Sequence, residues 1–86
     1  MARAPGVPGS VAVLGLGLIG GSLALDLRAR GARVVGWDRP EVLRRARRRR
    51  LIDVAASSVE HAARQAGLVL LAAPPGVNLR LLRRLA

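Results

Sequence analysis

The sequence predicts an α/β domain with a parallel, doubly wound sheet of about four strands. Short apolar runs alternate with stretches of helical period along the whole chain. A glycine-rich turn at residues 15–20 joins the first apolar run to the first helical stretch. Residues 68–73 form a continuous apolar run, typical of a strand covered on both faces. Strands that alternate with helices make right-handed crossovers, which places helices on both faces of a parallel sheet.

The predicted strands are aliphatic runs that end at glycine or at a proline-containing turn. Gly15 ends the first strand, Pro40 follows the second, and Pro74 follows the last. In chain order the strands are residues 11–14, residues 33–37, a very short strand within residues 51–55, and residues 68–73. For a doubly wound sheet this order along the chain predicts the spatial order 3-2-1-4.

The predicted helices are marked by residues suited to helix ends. Gly31 suits the left-handed position after the first helix, and Pro40 suits the first turn of the second, which runs to about residue 49. Ser57 and Glu60 have the spacing of a capping box for the third helix, which Gly67 ends. Helical spacing marks the inner faces of the first and last helices, at Ile19, Leu23 and Leu27 and at Val77, Leu81 and Leu85.

The glycine-rich turn has the spacing Gly-x-Gly-x-x-Gly between a predicted strand and a predicted helix. Asp38 follows at the end of the next strand, which completes the context of a Rossmann-type dinucleotide-binding domain. The first glycine permits the tight turn, the second lets the backbone approach a pyrophosphate, and the third lets helix and strand pack closely. The predicted cofactor-binding residues in this turn are Gly15, Leu16, Gly17, Leu18, Ile19 and Gly20. The alternative is a strand–helix turn without a ligand.

Asp38 and Arg39 bear on the choice of cofactor. The Asp38 carboxylate suits the ribose hydroxyls of NAD, because a 2′-phosphate would place a like charge beside it. Arg39 suits either stacking on the adenine or pairing with a 2′-phosphate, so NADP remains open. Without a ligand, Asp38 is a helix N-cap and Arg39 is a solvated side chain.

Several strings of the chain resemble the prephenate dehydrogenases, together with the arogenate and cyclohexadienyl dehydrogenases. They are residues 13–22, Gly36-Trp37-Asp38-Arg39, Leu51-Ile52-Asp53 and residues 68–74, so the likeness covers nearly everything after residue 10. The resemblance implies NAD(P)-dependent oxidative decarboxylation of prephenate to 4-hydroxyphenylpyruvate, on the route to tyrosine. It also implies a cytoplasmic homo-oligomer, and it places Ala73 and Pro74 along the cofactor.

The resemblance covers only the first part of the NAD(P)-binding domain. Residues 1–10 are expected to form a flexible lead, and residues 11–86 the N-terminal part of a truncated Rossmann domain with an unpaired fourth strand. In the family the catalytic His and the substrate-binding arginines come later, so no catalytic residue is assigned. His61 is expected to be a solvated surface residue, and these 86 residues alone are expected to be inactive and to bind cofactor weakly. Arg50 and Gly67 stand where the family often has Gly and Asp.

Composition leaves a second class of function to weigh. The 15 basic residues, all of them Arg, and 5 acidic ones give a net charge of +10. Six of these arginines lie within residues 44–50, which suits nucleic-acid phosphates, but no aromatic stacking platform accompanies them and a solvated helix face is favoured, so a nucleic-acid partner is not expected. A related 3-hydroxyacid-type or 6-phosphogluconate-type dehydrogenase is the other alternative.

With no Cys, the sequence offers no thiolate metal site, and no metal is expected. Glycines inside the apolar residues 11–25 argue against a signal peptide, and this run is too short to span a membrane, so no membrane partner is expected.

Overall fold

A computed structural model describes residues 3–86 as four strands and four helices in strict alternation. The strands are β1 (Ser10–Leu14), β2 (Arg33–Trp37), β3 (Val54–Ala55) and β4 (Leu68–Leu71). The helices are α1 (Leu18–Ala29), α2 (Pro40–Arg48), α3 (Val59–Arg64) and α4 (Pro75–Leu85). The alternation confirms the predicted fold class.

The four strands form one parallel sheet in the order β3-β2-β1-β4, which confirms the predicted order of a Rossmann-type domain. Leu14 at the end of β1 lies opposite Trp37 of β2 and Leu71 of β4. These three strands therefore end level with one another. The loops that follow them meet at a single edge, the carboxyl edge of the sheet.

Helices cover both faces of the sheet, and β1 is buried between them. Val11 and Val13 of β1 contribute to a core with residues of α1 and α2, such as Ala24 and Ala46. The alternate β1 residues Ala12 and Leu14 belong to a second core, which takes Val59 and Ala62 from α3 and Leu81 from α4. Successive side chains of a strand point to opposite faces. Both faces of β1 are therefore apolar, which explains its continuous apolar sequence.

The third strand is very short, as predicted, and a side chain takes over part of its pairing. Asp53 precedes β3, and its Oδ2 accepts a hydrogen bond from the Val34 N–H at 2.7 Å, while its own N–H donates to the Val34 carbonyl at 2.9 Å. Regular pairing with β2 starts only at Val54.

Both faces of the fourth strand contact the core, as predicted, since Leu70 packs against one cluster and Val69 and Leu71 against the other, but the cover is incomplete. β4 ends at Leu71 rather than at residue 73, and it lies at the edge of the sheet with β1 beside it. Three of its residues are half-buried, and Leu68 is 42% exposed. Its edge position follows from the predicted order 3-2-1-4, and an edge strand is covered less completely than a central one.

The predicted capping box at the start of α3 is wrong. The N-cap is Ser58, whose Oγ accepts a hydrogen bond from the His61 N–H at 3.0 Å. Glu60 instead binds Arg84 of α4, with 2.7 Å between Oε1 and Nη2. Because two serines are adjacent, α3 could be capped by either Ser57 or Ser58. Burial of Val59 and Ala62 favours the helix that starts after Ser58.

Contacts with the rest of the domain also occur before β1. The Ala4 N–H donates to the Arg30 carbonyl at 2.8 Å, and Val7 packs against the core under α1. The first two residues of the predicted flexible lead lie outside the described residues, and its flexibility stays a prediction. Every helix within residues 3–86 falls short of the length and apolar character needed to cross a membrane.

Candidate functional site

Two glycines allow the turn after β1 to pack against its neighbours without any side chain. Gly15 has φ +106°, and a Cβ added to it would lie 2.6 Å from the Ala73 nitrogen in the loop after β4. A Cβ added to Gly20 would lie 1.8 Å from the Gly15 carbonyl oxygen. Real Cβ atoms do not approach backbone so closely. Glycine at these two positions is therefore required by the fold itself, whether or not a ligand binds.

Gly17 differs from the other two glycines of the motif, because nothing lies within 4 Å of the Cβ that it lacks. It is the N-cap of α1 and is exposed, and no side chain caps the helix there. Leu18 and Ile19 follow with 89% and 72% of their surfaces exposed. The first amides of α1, at the positive end of the helix dipole, therefore border open space.

Asp38 connects the end of β2 to the glycine turn. Its carboxylate is half-buried; Oδ2 accepts from the Leu16 N–H at 2.7 Å and Oδ1 accepts from the Arg39 N–H at 2.6 Å. The Gly15 N–H also donates to the Trp37 carbonyl at 2.9 Å. Two backbone amides thus fix the position of the carboxylate beside the turn, as short charge-assisted hydrogen bonds do.

Arg39 lies on the outer side of Asp38 and begins a positively charged cleft. It is exposed and forms the N-cap of α2, where its side chain makes no capping hydrogen bond. Together with Arg44 and Arg47 of α2 it lines a cleft of about 590 Å³, which Asp38 and Ser57 also line. This edge of the site therefore combines one carboxylate with three guanidinium groups.

The loop after β4 completes the set of predicted site residues. Ala73 lies directly against Gly15, and its N–H donates to Oδ1 of Asn78 at 2.9 Å. Pro74 is exposed and is the N-cap of α4. The sequence reading missed Asn78, although a lone polar residue in the first turn after Pro-Pro-Gly is a signal for such an anchor. All ten predicted cofactor-binding residues therefore lie at the carboxyl edge of the sheet, in the loops after β1, β2 and β4 or in the first turn of α1.

His61 lies in α3, away from the glycine turn in sequence, and forms local hydrogen bonds. It is half-buried rather than solvated: Nδ1 accepts from the Ser57 N–H at 3.1 Å, and Nε2 contacts the Gln65 side chain. These contacts hold the loop between β3 and α3. They give no reason to place His61 among the residues that act on a cofactor.

A parallel sheet in the order 3-2-1-4 and a glycine turn that opens a helix beside an acidic residue define a nucleotide-binding domain of the Rossmann type. Residues 10–86 match a family model described as "NADP oxidoreductase coenzyme F420-dependent". The chain belongs to this family, because the match spans most of its length. It is therefore an NAD(P)-binding domain of the oxidoreductase class. No curated protein and no solved structure gives a significant match to the chain.

Proposed function

We propose that the glycine turn binds the pyrophosphate of a dinucleotide and that the preferred cofactor is NAD. Open space at Gly17 is the observation that carries this proposal. Gly15 and Gly20 are explained by packing alone, but no neighbour within 4 Å accounts for a missing side chain at Gly17. An approaching phosphate accounts for it, because glycine lets a ligand reach the backbone at the start of a helix.

Each predicted residue has a role that its position allows. The N–H groups of Leu18 and Ile19 would donate to phosphate oxygens, and the free lone pairs of the Asp38 carboxylate would accept from ribose hydroxyls. Leu16 would hold that carboxylate in place. Arg39 would flank the adenosine, and Ala73 and Pro74 would line the other side of the cofactor. The bound dinucleotide supplies the hydride acceptor of an oxidation.

The fixed position of Asp38 supports NAD over NADP. A 2′-phosphate beside this carboxylate would bring two negative charges together, which typically costs several kcal/mol. The carboxylate would have to swing away to relieve this repulsion. Doing so would break the hydrogen bonds to the N–H groups of Leu16 and Arg39, at 2.7 Å and 2.6 Å.

NADP is the second candidate, and the arginine cleft is the observation that favours it. Arg39, Arg44 and Arg47 line one cleft with Asp38, and guanidinium groups are the preferred partners of phosphate. The family description also names NADP. NAD is preferred if the Asp38 carboxylate dominates the electrostatic potential at the ribose, and NADP is preferred if the guanidinium groups do.

Titration of the chain with NADH and with NADPH, followed by fluorescence or calorimetry, distinguishes the two. We expect tighter binding of NADH. Asp38→Asn should lower the NADH/NADPH affinity ratio by about tenfold or more, because it removes the charge but keeps one oxygen acceptor. Arg64→Ala, which removes an exposed arginine of α3 remote from this cleft, is the control. Preference for NADPH, abolished by Arg39→Ala, would establish the second candidate instead.

The particular oxidoreductase that we propose resembles prephenate dehydrogenase, and residues 11–86 would be part of its cofactor domain. One structural detail supports this. Arg50 stands where those enzymes often have Gly, and it adopts the left-handed conformation that glycine favours, with φ 56°. Under this proposal the whole enzyme decarboxylates prephenate oxidatively, works as a cytoplasmic homo-oligomer, and takes its catalytic groups from outside residues 1–86. These residues alone would therefore be inactive.

The coding sequence after the codon for Ala86 tests this finer assignment. An in-frame continuation that supplies a His and a helical domain, and whose product forms NADH from prephenate, would support it. A continuation typical of a 3-hydroxyacid-type or 6-phosphogluconate-type dehydrogenase would move the assignment to that alternative. Neither outcome affects the cofactor proposal, which is tested on the chain itself.

A further inference from the structure

An apolar groove of about 440 Å³ lies between α1 and α2, below the proposed pyrophosphate site. The apolar side chains of its lining that are buried or half-buried form the floor, namely Leu16, Val42, Ala46 and Leu51. Gly21 gives the floor its depth, since a Cβ there would approach Leu51 Cδ1 to 3.3 Å. Of the residues that line the groove, the cofactor proposal uses only the Leu16 N–H and, at the upper end, Gly17 and Leu18.

The exposed residues that line the groove form two rims of different character. On α1 the rim contains Leu18 and Leu25, which are 89% and 52% exposed, with Ser22 between them. On the side of α2 the rim contains Arg45 and the C-cap residue Arg49, both exposed. Neither arginine forms an ion pair with any residue in 3–86. An apolar rim thus faces a positively charged rim across an apolar floor.

The dimensions of the rims match one face of a helix. Leu18 and Leu25 are seven residues apart, which is roughly 10 Å along a helix axis, and Arg45 and Arg49 are one turn apart. Helix-in-groove recognition uses apolar anchors at positions i, i+3/i+4 and i+7 of the partner. Acidic residues four positions apart on such a partner would meet both arginines. A second copy of this chain is a poor occupant, because each copy has a net charge of +10.

We propose that this groove is a docking site for an amphipathic, acidic helical segment of another protein. The apolar stripe of that helix enters the groove between α1 and α2, and its carboxylates pair with Arg45 and Arg49. Nucleic acid does not explain the apolar features, because phosphates gain nothing from an apolar floor or from two exposed leucines. The arginines of α2 also diverge, since Arg44 and Arg47 line the cleft beside Asp38 instead.

The probe for a first test is a fluorescein-labelled synthetic 14-residue helix with a leucine stripe flanked by glutamates at i and i+4. Its binding to the full chain is followed by fluorescence anisotropy. Reversing both rim charges, with Arg45→Glu and Arg49→Glu together, should weaken binding by about tenfold or more. The control reverses Arg48 and Arg83, which changes the net charge equally but involves exposed arginines outside the groove. It should weaken binding by less than about threefold.

A second pair of variants tests the apolar rim without changing the charge. Leu25→Gln removes a leucine from the groove, and Leu79→Gln removes an equally exposed leucine from α4, since both are 52% exposed. Because both side chains are half in solvent, we expect both variants to fold. Only Leu25→Gln should weaken binding of the helix, by roughly fivefold or more.

Three results would each overturn the proposal. One is an equal effect of the two charge-reversal pairs, together with full competition by random duplex DNA, which would identify a general polyanion surface. Another is equal binding of a probe with lysines in place of the glutamates. The third is a result in which neither leucine variant weakens binding of the helix, or both weaken it equally.

Discussion

The carboxyl edge of the sheet, where the strands end, and the opposite edge, where they begin, each contain a residue with a positive φ. A side chain fits at that residue only on the opposite edge. At the carboxyl edge Gly15, with φ +106°, lies so close to the Ala73 backbone that no Cβ fits. At the opposite edge, in the turn between α2 and β3, Arg50 adopts φ 56° with a full side chain. The carboxyl edge is therefore constrained by packing, whereas the other edge bears only the intrinsic strain of the backbone.

The C-terminal ends of α1 and α2 show how the chain accommodates this backbone strain. Both helices end in a Schellman motif: the Ala32 N–H donates to the Leu27 carbonyl, and the Leu51 N–H donates to the Ala46 carbonyl, each at 3.0 Å. Gly31 occupies the left-handed position of the first motif and Arg50 that of the second. The same hydrogen bonds thus form with either residue.

Arg28 and Asp53 form a network that accompanies the arginine. The Arg28 guanidinium donates to the Arg50 carbonyl and pairs with the Asp53 carboxylate at 3.0 Å. Asp53 also accepts from the N–H of the buried Val34. We infer that side-chain hydrogen bonds stabilise here a turn that glycine forms without assistance.

The largest effect is expected at the carboxyl edge. Gly20→Ala should lower the free energy of unfolding by about 3 kcal/mol or more, because its Cβ has to displace the Gly15 carbonyl. Gly76→Ala in α4 is the matched control, since nothing lies within 4 Å of its absent Cβ, and it should be as stable as the parent chain or slightly more stable, because alanine favours a helix. Chemical denaturation followed by circular dichroism measures both. Equal stability of the two variants would contradict the packing account.

A smaller effect is expected for the network at the opposite edge. Asp53→Ala removes the acceptor of the Val34 N–H and the partner of Arg28, and it should cost about 1 to 3 kcal/mol. Asp26→Ala removes an exposed i,i+4 pair with Arg30 and should cost at most about 0.5 kcal/mol. A similar loss for both variants, measured by the same denaturation, would mean that the Asp53 network stabilises nothing beyond a surface ion pair.

Substitutions at Gly31 and at Arg50, the left-handed residues after α1 and α2, should change the stability in opposite directions. Gly31→Ala should destabilise the chain by about 1 kcal/mol, because a Cβ is strained in the left-handed region. Arg50→Gly should stabilise it by roughly 0.5 kcal/mol, since relief of that strain exceeds the added chain entropy of glycine. If Arg50→Gly instead destabilises the chain, the Arg50 side chain makes a favourable contact that outweighs the strain.

The smallest effect is expected at the surface pair between α3 and α4. A hydrogen bond from Arg84 holds the pKa of Glu60 below its usual range. A carboxylate with a lowered pKa stabilises the fold above its unfolded pKa, and this contribution is lost as the pH falls through the folded value. Glu60→Gln should therefore reduce stability slightly at pH 7, and by less at a pH well below the usual pKa of a glutamate. An equal difference at both pH values would contradict the pairing.

Much of the fold was predictable because it depends on local patterns. Arg33–Trp37 matches the predicted β2, and Pro40 begins α2 as its fixed φ predicts. The errors concern features that depend on distant contacts. Glu60 pairs with the distant Arg84 instead of capping α3, and β4 ends at Leu71 with its residues only partly covered by the neighbouring elements. At the site, the motif predicted which loops converge, but not that Asp38 binds the Leu16 amide or that Asn78 anchors Ala73.

The most direct test of the cofactor proposal is NADH binding by Gly17→Ala, measured by calorimetry beside the unfolding curve of the same variant. Gly17 is suited to this test because its added Cβ meets nothing within 4 Å, so the variant should fold like the parent chain. We predict an affinity for NADH at least about tenfold weaker, since the methyl group keeps the pyrophosphate from the backbone. An unchanged affinity in the folded variant would show that the dinucleotide does not bind at this turn.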